Sequence, residues 1–234
     1  MKLTQEQTEQ LKKQVENHRH KRYQTDIFLK NISLNNFIVE PNVMRPEVMT
    51  SMLVANWLAE NSGIYEGQRI LDMGCGTGIL GIVTSRAAKS VKLADISLDA
   101  VINTAENLKR FDHENKCSVV QSDLFYNVNG EFDLIIFNQP YFPITPREFD
   151  PKGKYPILVS MCGGDGLINN FLYQAKHYRP KSRLLMSFYH ILPDTNNPAV
   201  RGPKHGYKVE TMLHTTQKDG LQQGDKSIYL LYLR

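Results

Sequence analysis

The chain has 234 residues, 41% of them hydrophobic and 22% charged, with a formal net charge of +4. That balance fits one globular domain, or one with a short extension, long enough to bury a core without a disulfide or metal staple. The mild basic excess is not that of a dedicated nucleic-acid binder. Cys75, Cys117 and Cys162 are scattered and form no C-x-x-C pair, which argues against a disulfide framework or a metal site and for a reducing compartment.

The first residues are polar and charged and lack the apolar stretch of a signal peptide. No apolar run approaches the roughly 20 residues of a membrane helix. A cytoplasmic chain with no membrane partner is therefore expected. Thr4 to His18 reads as a polar helix, with Thr4 placed to cap it and Gln7 three residues on. Only Leu11 and Val15 are apolar at regular spacing, so this helix should pack lightly or project. Lys12, Lys13, Arg19, Lys21, Arg22 and Lys30, with His18 and His20, make this stretch basic. It reads first as a solvated face, and otherwise as a contact surface for RNA or an acidic partner. Residues 1–36 are expected to form a helical extension, and 37–234 the main domain.

The pattern then becomes regular. Val48 to Glu60 is a helix candidate with Pro46 near its first turn, and Trp57 falls at core spacing. Arg69 to Met73 reads as a buried strand, followed by the glycine-rich turn Gly74 to Gly78 and a helix from Ile79 to Ala88. A strand at Val91 to Ile96, a helix at Leu98 to Phe111 and a strand at Ser118 to Ser122 come next. Phe132 to Phe137 is apolar almost throughout, as a strand covered on both faces should be. A Pro-punctuated loop, Tyr141 to Cys162, has the length of a functional segment and the place of a substrate lid. A helix at Gly166 to Tyr178 and a strand at Ser182 to Tyr189 follow. The last two strands, Tyr207 to His214 and Ser227 to Leu233, are split by the turn-rich Lys218 to Asp225. The implied fold is α/β: a doubly wound sheet of seven mostly parallel strands, Rossmann-like, closed by a C-terminal antiparallel hairpin. Ligands of such sheets bind beyond the carboxyl ends of the strands, near the switch in strand order.

The chemistry-bearing residues all fall at those ends. Gly74, Cys75, Gly76, Thr77 and Gly78 form a G-x-G-x-G turn between a strand and a helix. Glycines let the backbone approach a ligand, and free N–H groups at the helix start attract negative charge. That charge is phosphate in a dinucleotide enzyme, or the carboxylate of a methionine-bearing nucleoside. The spacing departs from the G-x-G-x-x-G of dinucleotide binders. Asp72, just before the turn, is placed to order it and to reach a ligand ammonium through water. Asp95 and Ile96 end the next strand, where a carboxylate accepts from ribose hydroxyls. Asp123 is suited to an adenine amino group, with the Leu124 N–H serving a ring nitrogen.

Asn138, Gln139, Pro140 and Tyr141 follow the fourth strand. An Asn side-chain oxygen and the Gln139 carbonyl are two acceptors able to hold the N–H groups of a planar nitrogen, whose delocalised lone pair makes it a poor nucleophile. Tyr141 is placed to stack on a flat group. His190, after the fifth strand, is a structural histidine or a base facing the cleft.

Together these motifs, from about Phe37 to Tyr189, resemble the HemK/PrmC group of class I S-adenosylmethionine (AdoMet) dependent methyltransferases. The resemblance includes Arg45-Pro46-Glu47, the glycine turn, Asp95 with Asn103 and Asn107, Gln121 to Phe125, Asn138 to Pro143, and Gly163 to Leu167. The family's Asn-Pro-Pro-Tyr box is matched at Asn138, Pro140 and Tyr141, and Gln139 departs from it. The resemblance implies AdoMet as cofactor and the side-chain amide of a protein glutamine as acceptor. Relatives methylate exocyclic amines of bases in RNA or DNA. A small-molecule acceptor or a non-catalytic AdoMet-binding module are the remaining alternatives. In size the chain is similar to the relatives without a large helical domain ahead of the catalytic one. The helix between the fifth and sixth strands is expected to be short or absent, and the oligomeric state stays open.

Overall fold

A computed structural model describes residues 3–48, 50–190, 194–219 and 222–233. The chain opens with helix α1, Gln5–Asn17, whose start carries the expected capping box: the Thr4 hydroxyl accepts from Gln7 N–H, and the Gln7 side chain accepts from Thr4 N–H. A hairpin follows, β1 (Tyr23–Leu29) and β2 (Ile32–Val39), paired antiparallel. The stretch expected to be wholly helical thus holds two strands. Its alternation of Ile27 and Leu29, then Ile32 and Leu34, buries one face.

Helix α2 spans Ser51–Glu60. It begins later than expected, beyond Pro46, and Met49 lies outside the described residues. Trp57 is in the core. The main body then alternates: β3 (Arg69–Met73), α3 (Ile79–Ser85), β4 (Ser90–Asp95), α4 (Leu98–Arg110), β5 (Cys117–Gln121), β6 (Leu134–Phe137), a short α5 (Pro146–Phe149), α6 (Leu167–Tyr178), β7 (Arg183–Tyr189), α7 (Pro198–Lys204), β8 (Tyr207–Asp219) and β9 (Gln222–Leu233). The expected short helix before the sixth strand is α7. The closing hairpin is longer than expected, because pairing runs on to Asp219 opposite Gln222, through most of the stretch read as a turn; Gly220 and Leu221 lie outside the described residues.

The seven strands lie in the order β5-β4-β3-β6-β7-β9-β8. The first five are parallel, and β9 and β8 run antiparallel. The order reverses between β3 and β6, so a crevice opens beyond their carboxyl ends. Met73 pairs with Phe137, and Phe137 with Met186. Gly74 and Asn138, which leave the sheet next, and Ser187, still within β7, therefore lie side by side.

Helix α3 lies unusually close to β4. A Cβ on Gly81 would fall 2.3 Å from Leu93 Cδ2, and Leu93 is fully buried. Gly81→Ala gains up to about 1 kcal/mol of helix propensity but overpacks a filled site at a cost of about 1–3 kcal/mol. A net loss of stability of about 1–2 kcal/mol is expected in urea denaturation. An unchanged midpoint would mean that the helix can lift off the sheet freely.

Candidate active site

The turn after β3 uses its glycines where the backbone needs them. Gly74, Gly76 and Gly78 have φ of +68°, +56° and +83°, a region in which side chains are strained. Under the turn, the Thr104 hydroxyl of α4 donates to Gly76 O at 3.0 Å and Asn107 Nδ2 donates to Thr77 O at 2.9 Å. Asn103 and Asn107, both fully buried, also hold the end of β2. Their Oδ1 atoms accept from Glu40 and Ile38 N–H, and their Nδ2 atoms donate to Ile38 O. Asn107 thus fastens the hairpin to the glycine turn, and Asn103 adds a second hold on the hairpin from α4.

Asp72 is buried, and its carboxyl accepts from Gly81 N–H at 2.9 Å. It orders the start of α3 but does not line the cavity. Burial, opposed by that hydrogen bond and aided by the nearby Asp95, pushes its pKa from 3.8 up to about 7. Asp95 accepts from Gly76 N–H at 3.0 Å and Ser97 N–H at 2.9 Å, with burial raising its pKa. Each of its oxygens keeps a lone pair for a ligand hydroxyl. Leu124 sits at φ +45°, a conformation rare outside glycine. The Ser122 hydroxyl holds it there, donating to Leu124 O at 2.7 Å and accepting from Asn127 N–H at 2.9 Å.

These ends surround a cavity of about 270 Å³. Gly74, Cys75, Gly76 and Thr77 line it from the turn, Asp95 and Ile96 from β4, Asp123 and Leu124 after β5, and Asn138 and Pro140 after β6. Gly78 is not on its wall; a Cβ there would lie 3.1 Å from Thr104, so this glycine serves packing. The opposite wall comes from Asn42 to Met44, which carry no sequence motif, from Ser51 at the start of α2, and from Val159 and Ser160 of the loop after β6. The loop expected as a lid is a packed wall. Phe142 bridges to Cys162, α5 carries a Thr145–Glu148 capping box, and Ile144, Ile157, Leu158 and Met161 are buried.

Asn138 is the most densely bonded side chain of the site. Its Oδ1 accepts from Thr50 Oγ1 at 2.7 Å, the Tyr141 hydroxyl at 2.6 Å and Ser187 Oγ at 2.5 Å. Its Nδ2 donates to Ser51 Oγ at 3.1 Å. The Tyr141 oxygen lies 2.5 Å from Thr50 Oγ1 and 2.8 Å from Ser187 Oγ. Burial pushes the Tyr141 pKa up to about 12, so this hydroxyl keeps its proton. The Thr50 hydroxyl makes no capping bond to α2; it serves Asn138 instead. Thr50 and Ser187 have no motif of their own, and only the strand register places Ser187 beside Asn138.

Gln139 and Tyr141 are not on the wall of the large cavity. Tyr141 is buried behind Asn138, edge-on to Phe188 with ring centroids 6.1 Å apart, rather than offering a face for stacking. The Gln139 side chain turns to the rear, where Nε2 donates to Asn196 O at 2.8 Å. The side chain that stands where the box has proline therefore takes no part in that wall. His190 faces Ser227 Oγ at 2.8 Å, away from the cavity. The basic stretch near the N-terminus is largely compensated: Lys12 meets Glu9, Arg19 meets Glu16, Arg22 meets Glu40 and Glu106, and Lys30 meets Glu60.

The cavity's chemistry fits a nucleoside joined to an amino acid. Gly76 leaves open space where a Cβ would stand, two carboxylates follow adjacent strands, and apolar side chains fill the wall between. Residues 45–145 match the family model described as the methyltransferase small domain. A protein of Methanocaldococcus jannaschii, named as a protein N5-glutamine methyltransferase, is 29% identical over 170 residues, covering 71% of this chain and 84% of that one. A release factor glutamine methyltransferase of Leptospira interrogans is 34% identical over 116 residues, 47% of this chain; the chain spans only 41% of that relative's length. Among solved structures, a T. thermophilus 16S rRNA N2-guanine methyltransferase superposes with a TM-score of 0.62. It is 15% identical and the match covers 92% of this chain and 51% of that one, a likeness of fold alone. No helix of the described residues is long and apolar enough to cross a membrane.

Asp72 gives a pH signature. A carboxyl raised from 3.8 to about 7 binds its proton more tightly in the folded chain. Its contribution is fully present below about pH 4 and is lost as pH rises toward about 7. Relative to Asp72→Asn, the wild type should lose stability across that window in urea denaturation. Parallel profiles would show that Asp72 does not titrate there.

Proposed function

We propose that the chain is a class I AdoMet-dependent methyltransferase of the HemK-like group, to which it is similar, and that its acceptor is the carboxamide nitrogen of a glutamine in a protein. The single observation that carries this reading is the hydroxyl shell around Asn138. When bound, AdoMet supplies an electrophilic methyl on a positively charged sulfur. The glycine turn would hold its methionine carboxylate, with Asp72 acting on the ammonium only through the turn it orders. Asp95 with Ile96 would hold the ribose, and Asp123 with the Leu124 N–H the adenine.

The acceptor nitrogen is flat and weakly nucleophilic, so the protein's task is to hold its N–H groups and aim its lone pair. The Gln139 main-chain oxygen accepts no hydrogen bond from any described residue; Gln139 lines the smaller space behind Asn138 rather than the large cavity, so its oxygen would serve one N–H only if the acceptor amide reaches past Asn138. Asn138 supplies the other acceptor. In the structure its oxygen faces three hydroxyls and its nitrogen faces Ser51. All four partners are hydroxyls, each able to donate or accept. Turning the carboxamide over lets its NH₂ donate to two of the three hydroxyls and brings the oxygen to the Ser51 side, on the cavity wall. An acceptor N–H selects that orientation. As the new N–C bond forms and the S–C bond breaks, the nitrogen becomes strongly acidic and its proton passes to water.

A protein acceptor is favoured over a nucleic acid by the relatives' names and by the pairing of the N-terminal cations with carboxylates.

The test uses AdoMet carrying a tritiated methyl and an extract of the source cells. Label in a protease-sensitive product, released as methylamine by acid hydrolysis, is expected. Label lost to nuclease would replace this reading with base methylation. Asn138→Ala should lower the rate at least about 100-fold, and Ser187→Ala about tenfold, with affinity for S-adenosylhomocysteine kept in both.

A further inference from the structure

Helix α1 is docked more firmly than its polar sequence implies. Leu11 and Val15 join the core cluster that includes Tyr141, Phe142 and Met161. At its C-terminal end His18 Nδ1 accepts from Arg45 N–H at 3.1 Å, and burial lowers the His18 pKa to about 4, which leaves that nitrogen free to accept. Between these anchors lies Gln14, only 4% exposed. Its carboxamide has no hydrogen-bond partner among the described residues. Its polar atoms are nonetheless not sealed off; they keep contact with water-sized space, which a helix face that only needs to pack does not require.

Gln14 lines a second, small cavity of about 20 Å³, whose wall includes Thr50, Ser51, Asn138, Tyr141 and Ser160. That size accommodates one water, and a water needs two to four polar partners. Carboxamides and hydroxyls supply them. Asn138, Ser51 and Ser160 line the large cavity as well. The Asn138 carboxamide therefore stands between the cofactor cavity in front and the Gln14 chamber behind.

We propose that Gln14 is a positioning residue of the methyl-transfer site, linked through one water in the small cavity to the hydroxyl shell that fixes Asn138. The inference rests on the reading that Asn138 orients the acceptor. It assigns the N-terminal helix to the catalytic apparatus. The hydroxyls around Asn138 can each donate or accept, so they do not by themselves set which way the carboxamide faces. A bridged glutamine, with a distinct donor end and acceptor end, biases that choice.

The test compares Gln14→Met, similar in length and without an amide, with Gln10→Met on the same helix, whose side chain does not line the small cavity. Protein labelled with ¹⁵N-asparagine gives the Asn138 side-chain NH₂ signals, assigned by their loss in Asn138→Asp. Gln14→Met should shift those signals and Gln10→Met should not. The initial rate of methyl transfer at saturating AdoMet should fall about fivefold in Gln14→Met, with S-adenosylhomocysteine affinity unchanged. Gln14→Asn, which keeps a carboxamide within reach of the same water, should recover part of both signals and serves if the Met variant does not fold. Asn138 signals that stay in place in Gln14→Met, or move equally in Gln10→Met, overturn the proposal. If wild type labels no protein, the proposed acceptor fails, and the Asn138 signals still decide the role of Gln14.

Discussion

A carboxamide at the end of a central strand, gripped by hydroxyls from three separate elements, is the constraint on which the rest of the structure turns. Thr50 arrives from the start of α2, Tyr141 from the loop after β6, and Ser187 from β7. Each contact is a short O–H···O bond, and two of the three hydroxyls also lie within 2.8 Å of the third, Tyr141. Such a network is stiff when every member is satisfied. It demands that the helix, the loop and the strand all be in place before the asparagine is. Thr50 gives up helix capping to take part, and Tyr141 is buried to do so. These are choices of chemistry over local stability, of the sort expected where a site is preorganised.

The sheet makes that convergence possible. The switch in strand order between β3 and β6 places the glycine turn and Asn138 as neighbours, because Met73 and Phe137 are in register. The same edge collects Asp95 from β4 and Asp123 after β5. The turn itself is clamped from below by Thr104 and Asn107 and from inside by Asp72, so its amides are fixed by bonds that do not face the cavity. Asn103 and Asn107 extend the clamp to the N-terminal hairpin. Segments from the chain's first forty residues thereby bear on the same crevice as the central strands.

Much of this was legible in the sequence where a feature is local. The Thr4–Gln7 box, the glycine turn between strand and helix, and the apolar run ending at Phe137 each declare themselves within a few residues. The hairpin at Tyr23–Val39 was harder to see, since polar and charged residues fill its outer face and dominate the composition of that stretch. The extension of β8 beyond His214 and of β9 back to Gln222 was hidden for a related reason: backbone pairing at a sheet edge needs no apolar pattern. Inside the site, the residue types at Asn138 and Asp95 were visible but their partners were not. Thr50 and Ser187 lie 88 and 49 residues from Asn138 in the chain, and nothing local marks either. Tyr141 was read as a stacking ring because its sequence position is at the cavity; its hydroxyl, bonded to Asn138, turns the ring into the wall behind it. Gln139 departs from the box's usual proline, and its side chain turns away from the large cavity toward Asn196.

The account stands most directly on a crystal structure with S-adenosylhomocysteine bound. It predicts the amino-acid carboxylate against the Gly74–Gly78 turn, the ribose on Asp95, and the sulfur facing an Asn138 carboxamide still held by Thr50, Tyr141 and Ser187. A complex in which the nucleoside lies outside that crevice, or in which the carboxamide has swung clear of the three hydroxyls, contradicts it.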